Sequence, residues 1–95
     1  MKAELLIRER LVYADGALVE MAVWRLPEAS RPSPHRFKYR LAYVVNGRRV
    51  IGYDNERGKG DHRHVGDREE PYAFSSIERL LAEFTAEVEA LRRRE

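Results

Sequence analysis

His62 and His64 are separated by one residue at the end of a polar stretch, Tyr53 to His64, that reads YDNERGKGDHRH. If Asp61 to Val65 is extended, alternate side chains share a face. Both imidazoles then point to one side, with their Cα atoms roughly 6.5 to 7 Å apart. Two imidazoles at that spacing can flank one phosphate, and near neutral pH a histidine pair supplies one base and one acid. Lys59 and Asp61 join His62 and His64 as candidate catalytic residues. Arg57 and Arg63 are candidate phosphate clamps, because a guanidinium binds phosphate bidentately. Gly58 and Gly60 let the backbone approach an anion closely. Tyr53, which can stack on a base or donate from its hydroxyl, completes the candidate substrate-binding set together with Asp54. Gly58-Lys59-Gly60 is not a P-loop, since the spacing and the following Ser or Thr are absent. The plainer alternatives are a flexible turn at the glycines, a solvated loop with Asp54, Glu56 and Asp61 as local partners for the arginines, and sheet packing for Tyr53.

A metal is the competing chemistry. His62 and His64 with Asp61 or Asp54 make an imidazole and carboxylate donor set. Arg57, Arg63 and Lys59 oppose a dication there by like-charge repulsion. No metal and no cofactor are therefore expected. Glu9, Trp24 and His35 are assigned ordinary structural roles.

The elements that must position this stretch are legible around it. Glu4 to Tyr13 reads as a first strand, with Leu5, Ile7, Leu11 and Tyr13 on one face and Glu9 interrupting it. Ala14-Asp15-Gly16 reads as a three-residue hairpin loop pairing Leu11 with Val19 and Arg10 with Glu20, so that opposite charges meet. Ala17 to Leu26 is the second strand. Residues 27–36 form a Pro-rich loop, where Pro27, Pro32 and Pro34 forbid a ladder, and this is the expected mobile segment. Phe37 to Val45 alternates Phe37, Tyr39, Leu41, Tyr43 and Val45 with Lys38 and Arg40. Asn46-Gly47 turns the chain into a fourth strand, Arg48 to Asp54.

The C-terminal helix, residues 75–94, is marked by Ser75 followed by Glu78 as a capping box. Ile77, Leu80, Leu81, Phe84, Val88 and Leu91 form its apolar stripe, and Arg92, Arg93 and Arg94 suit its C-terminal dipole. The predicted fold is α+β, a four-stranded antiparallel meander with one C-terminal amphipathic helix packed on one face. Between strand and helix, residues 53–74 form the functional loop. From Tyr53 to Arg68 its one aliphatic residue is Val65, and a connection needs only a few residues.

The chain has 95 residues, which points to a single domain, 1–95. A formal charge of +2 is too small to assign a nucleic-acid partner by itself, because a patch matters more than a total. The absence of cysteine excludes disulfides, thiolate chemistry and sulfur-bound zinc. No apolar stretch nears the roughly 20 residues of a membrane span, and MKAELLIRER is too short and too charged for a signal peptide. A cytoplasmic location and no membrane partner are expected.

YDNERGKGDHRH, with EEPYAF and the capped helix after it, resembles the TumE-like toxin family over nearly the whole chain. GKGDHRH, Gly58 to His64, is its most specific part, and Tyr53 and Asp54 are motif positions as well. The resemblance implies the toxin of a two-gene toxin–antitoxin module, with a cognate antitoxin, usually a helix-turn-helix protein, as partner. Two readings follow. In one, the protein is a metal-independent endoribonuclease: one histidine takes the proton of a ribose 2′-hydroxyl, the other protonates the 5′-oxygen, and Lys59, Arg57 and Arg63 stabilise the phosphate. In the other, the same basic loop binds nucleic acid or protein without catalysis. Which histidine is acid and which base stays open, as does a homo-oligomer.

Overall fold

The computed structural model describes residues 3–29, 33–56 and 58–94, so Pro32 and Arg57 lie outside the described residues. The order is β1 (Glu4–Val12), β2 (Leu18–Arg25), β3 (Phe37–Val45), β4 (Arg48–Asp54), β5 (His62–Val65), β6 (Arg68–Pro71) and α1 (Ile77–Arg93). All neighbours pair antiparallel, in the order β1-β2-β3-β4-β5-β6.

Six strands replace the expected four. The additional hairpin, residues 62–71, lies within residues 53–74, for which the sequence predicts a loop. HRHV and REEP lack the apolar alternation that announces a strand. They are held by the β4 and β5 backbone ladders instead, with Ile51 opposite Val65 and Val65 opposite Arg68.

The hairpins foreseen from turn chemistry are present. Leu11 faces Val19 and Arg10 faces Glu20, and the three-residue loop is closed by the Tyr13 amide donating to the Ala17 carbonyl at 2.8 Å. Asn46 and Gly47 both take positive φ, 52° and 76°, as a type I′ turn requires. Strand β1 is less regular than its sequence suggests. Leu5 pairs with Trp24 and Ile7 with Val23, so Leu6 is a bulge residue and Leu5 is turned to the face opposite Ile7. As an edge strand, β1 leaves Leu5, Leu6, Leu11 and Val12 exposed.

Helix α1 packs chiefly over β4. It buries Leu80, Phe84 and Val88 against Val23, Tyr39, Leu41, Tyr43, Ile51 and Tyr53, one side chain from each alternate position of the inner strands. Its N-cap is Ser76, not Ser75: the Ser76 hydroxyl accepts from the Arg79 amide at 3.1 Å. Ser76 has extended backbone and Ile77 is the first helical residue, so Ser75 stands one residue too early to cap. At the other end, the Arg92 guanidinium stacks 3.6 Å over Tyr13, donates to the Tyr43 hydroxyl at 3.0 Å and reaches Asp15 at 3.1 Å. That latch ties the helix to the first hairpin. Among the described residues no helix is long and apolar enough to cross a membrane.

Candidate active site

The helix covers one face of the sheet and leaves the other open, and strand alternation decides which residues belong to each. Tyr53 lies under the helix, so its neighbours Gly52 and Asp54 face the open side. Asp54 stands opposite His62 on β5 and opposite Arg40 on β3. Gly52 stands opposite His64 and Ala42. Both histidines therefore share the helix-free face, in two adjacent rows with Arg40 and Asp54.

His64 Nε2 is 3.2 Å from each carboxylate oxygen of Asp54, and the two side chains are 12% and 19% exposed. A carboxylate accepts, so this contact selects the tautomer with hydrogen on Nε2 and leaves the lone pair on Nδ1. His62 is held differently. Its Nδ1 is 3.1 Å from the Gly60 carbonyl oxygen, which only accepts, so Nδ1 carries hydrogen. Its Nε2 lies 3.6 Å from Glu69 Oε1, a partner suited to the imidazolium. One ring thus carries its hydrogen on Nε2, toward Asp54, and the other on Nδ1, toward the Gly60 carbonyl.

Arg49 runs along β4 toward Asp54, with Nη1 3.8 Å from Oδ2. Its path explains Gly52: a Cβ at that position would stand 2.7 Å from Arg49 Cδ and 3.4 Å from the Leu41 carbonyl oxygen. The open face also carries Arg8, Arg10, Lys38 and Arg40, against the carboxylates Glu20, Asp54 and Glu69. Arg10 lies 4.0 Å from Glu20. Among the described residues no carboxylate comes within 4.0 Å of Arg8, Lys38 or Arg40.

Several candidates from the sequence belong elsewhere. Arg63 alternates with the histidines and so points under the sheet, where it binds Glu87, Glu70 (2.6 Å) and the Tyr53 hydroxyl (3.2 Å). Its donors are committed to protein groups, and the Glu87 bond holds its guanidinium above the usual arginine range. Tyr53 is core, edge-on to Tyr72 and Phe84. Burial and then its hydrogen bond to Glu87 push its hydroxyl up. Asp61 also lies away from the histidine pair. It accepts from the Tyr39 hydroxyl at 2.6 Å and from His35 Nε2 at 2.8 Å. His35 in turn accepts the Phe37 amide on Nδ1 at 3.1 Å and stacks on Phe74 at 3.9 Å. Burial, followed by the Asp61 bond, holds the Tyr39 hydroxyl far above the usual tyrosine range. Both nitrogens of His35 are engaged and its ring is stacked on Phe74, among the aromatic side chains of Phe37 and Tyr39.

Gly58 and Gly60 have left-handed backbone, φ 86° and 80°. Lys59 between them is exposed and lies 3.9 Å from Glu56. Arg57 is outside the described residues. Among the described residues no three His, Cys, Asp or Glu side chains converge as metal ligands.

Arg40, Lys38, Arg49 and Glu69 were not singled out from the sequence. Lys38 and Arg40 were visible as the polar face of β3. Nothing in one chain's pattern announced that β5 would add to the same sheet and bring the histidines into line with them. Asn55, also missed, is 1% exposed. Its side chain accepts the Tyr39 amide at 2.9 Å and donates to the Phe37 carbonyl at 2.7 Å, continuing the β3 ladder where β4 ends. It fixes the exit of the chain from Asp54.

A family model described as Toxin TumE matches residues 2–92. No curated protein and no solved structure matches the chain.

Proposed function

The chain belongs to the TumE family of toxins, and we propose that it inhibits growth by cutting RNA, without a metal, on the helix-free face of its sheet. As a toxin of a toxin–antitoxin system it has a cognate antitoxin as partner. The observation that carries the RNA reading is the unequal anchoring of two imidazoles on one open, cationic face. His64, oriented by Asp54, is the base, and His62, paired with Glu69, is the acid. His64 Nδ1 takes the 2′-hydroxyl proton as the 2′-oxygen bonds to phosphorus. The bond from phosphorus to the 5′-oxygen breaks, and His62 delivers a proton to that oxygen. The products are a 2′,3′-cyclic phosphate and a 5′-hydroxyl, and no water, metal or cofactor enters the first step. Asp54 acts through His64 and is a positioning residue. Arg40 and Arg49 replace the earlier candidate Arg63 as cations for the phosphate.

The test is an end-labelled RNA incubated with purified protein in EDTA, alongside the same RNA carrying a single 2′-deoxy sugar at the cleavage position. Cleavage in EDTA, cyclic-phosphate ends and protection by the deoxy sugar are the expected results. Loss of cleavage on chelation, restored by one added metal, contradicts the mechanism.

A further inference from the structure

Among the described residues the strands of the helix-free face carry one large aromatic side chain, and packing does not explain it. Trp24, the only tryptophan of the chain, is half-buried on β2 and stands outside the core cluster. Opposite it on β3 is Lys38, whose ammonium lies 5.9 Å from the ring centroid. Two hollows of the open face meet at this residue. One, of about 300 Å³, is bounded by Trp24, Lys38, Arg40, Asp54 and Asn55. The other, of about 360 Å³, continues past Trp24 and Arg40 over Ala22 and Ala42. Arg40 and Asp54 link the indole to His62 through the strand register. Trp24 and His62 lie three strands apart, roughly 15 Å by the usual spacing of strands, which an extended RNA strand crosses in a few nucleotides.

An indole beside two cations that no described carboxylate neutralises has the composition of a single-strand site: base on the ring, phosphate on the cations. We propose that Trp24, with Lys38 and Arg40, forms a stacking subsite for one unpaired nucleobase flanking the scissile phosphate. This rests on the reading that the face acts on RNA. The Lys38 contact with the ring is at the outer limit of a cation–π interaction, so the ammonium is displaced by an incoming base and turns to its phosphate. Two small residues on the same face, Ala22 and Ala42, leave room for the chain beside Arg40.

Because Trp24 is the sole tryptophan, its fluorescence reports on the subsite directly. A 2′-O-methyl oligoribonucleotide, which the protein cannot cut, is titrated while the emission of Trp24 and the anisotropy of an end label on the RNA are followed. Quenching that saturates together with anisotropy is expected, and a single abasic position in the oligonucleotide should remove it. Trp24→Ala should weaken binding about tenfold, the effect of one lost stack, and Trp24→Phe should recover most of it. Both variants are checked by circular dichroism. Binding by anisotropy with unchanged emission, or quenching that survives an abasic sugar at every position, overturns the subsite while leaving RNA as the substrate. The absence of any anisotropy change overturns both.

Discussion

His62 and His64 differ in what holds them, and that difference makes separate predictions. His62→Ala and His64→Ala should each lower RNA cleavage by roughly a hundredfold or more and relieve growth inhibition. The double variant should be little worse than the worse single one, because the pair acts as a unit. Asp54→Asn keeps the size of the side chain but replaces an acceptor with an amide that can turn a donor toward Nε2. It should lower kcat with little change in KM, and shift the acidic limb of the pH profile, which loss of structure alone would not do. Lys59 is exposed and paired with Glu56, so Lys59→Ala should change the rate less than either histidine variant. The same-side placement of the histidines was legible from their spacing. The same alternation sends Asp61 and Arg63 to the opposite side. What could not be read was their partners: Glu87 is 24 residues from Arg63 and His35 is 26 from Asp61.

The elements divide according to how their side chains are used. Strands β2 to β4 and α1 were legible because each buries an alternating or helical apolar set, and β1 because its pattern leads into a clear hairpin turn, although only Ile7 of that strand is partly covered. Strands β5 and β6 were not, because β5 presents its histidines to the open face and Arg63 to the acidic side chains of the helix side, leaving no apolar rhythm to detect. Phe84, 1% exposed at the helix–sheet contact, is the measure of that packing. Phe84→Ala should cost about 3 to 5 kcal/mol in denaturant unfolding. Asn55→Ala leaves the Tyr39 amide and Phe37 carbonyl without their partner and should cost about 2 kcal/mol or more, with a further loss of activity as Asp54 is released. The Arg92 latch adds a pH dependence. The Ala17 amide, and then Arg92, hold the Asp15 carboxyl below the usual carboxylate range. Its contribution is present above that range and lost as the pH falls through the folded value. Asp15→Asn should therefore lower the melting temperature at pH 7, and the difference should vanish in acid.

At the scale of the whole molecule, one sheet serves two purposes. The helix face holds the aromatic core and its closed network of Arg63, Glu87 and Tyr53. The other face gathers cations, an indole and the histidine pair. A net charge of +2 does not announce this division: the open face sets Arg8, Arg10, Lys38, Arg40 and Arg49 against Glu20, Asp54 and Glu69. Binding of RNA should thus weaken with salt, whereas folding should depend on it little. Arg8, at the far edge of the same face, should contribute to binding but not to chemistry: Arg8→Ala should raise KM and leave kcat unchanged.

The proposed chemistry makes His64 the base and His62 the acid of a metal-free cleavage. It is tested most directly by the single-turnover pH–rate profile of the wild type and of the two single-histidine variants, each shown to be folded. The wild type should give a bell. His64→Ala should lose the limb that rises from acid, and His62→Ala the limb that falls toward alkali, both at rates reduced about a hundredfold or more. Folded variants that cut RNA at the wild-type rate, with the bell intact, would contradict it.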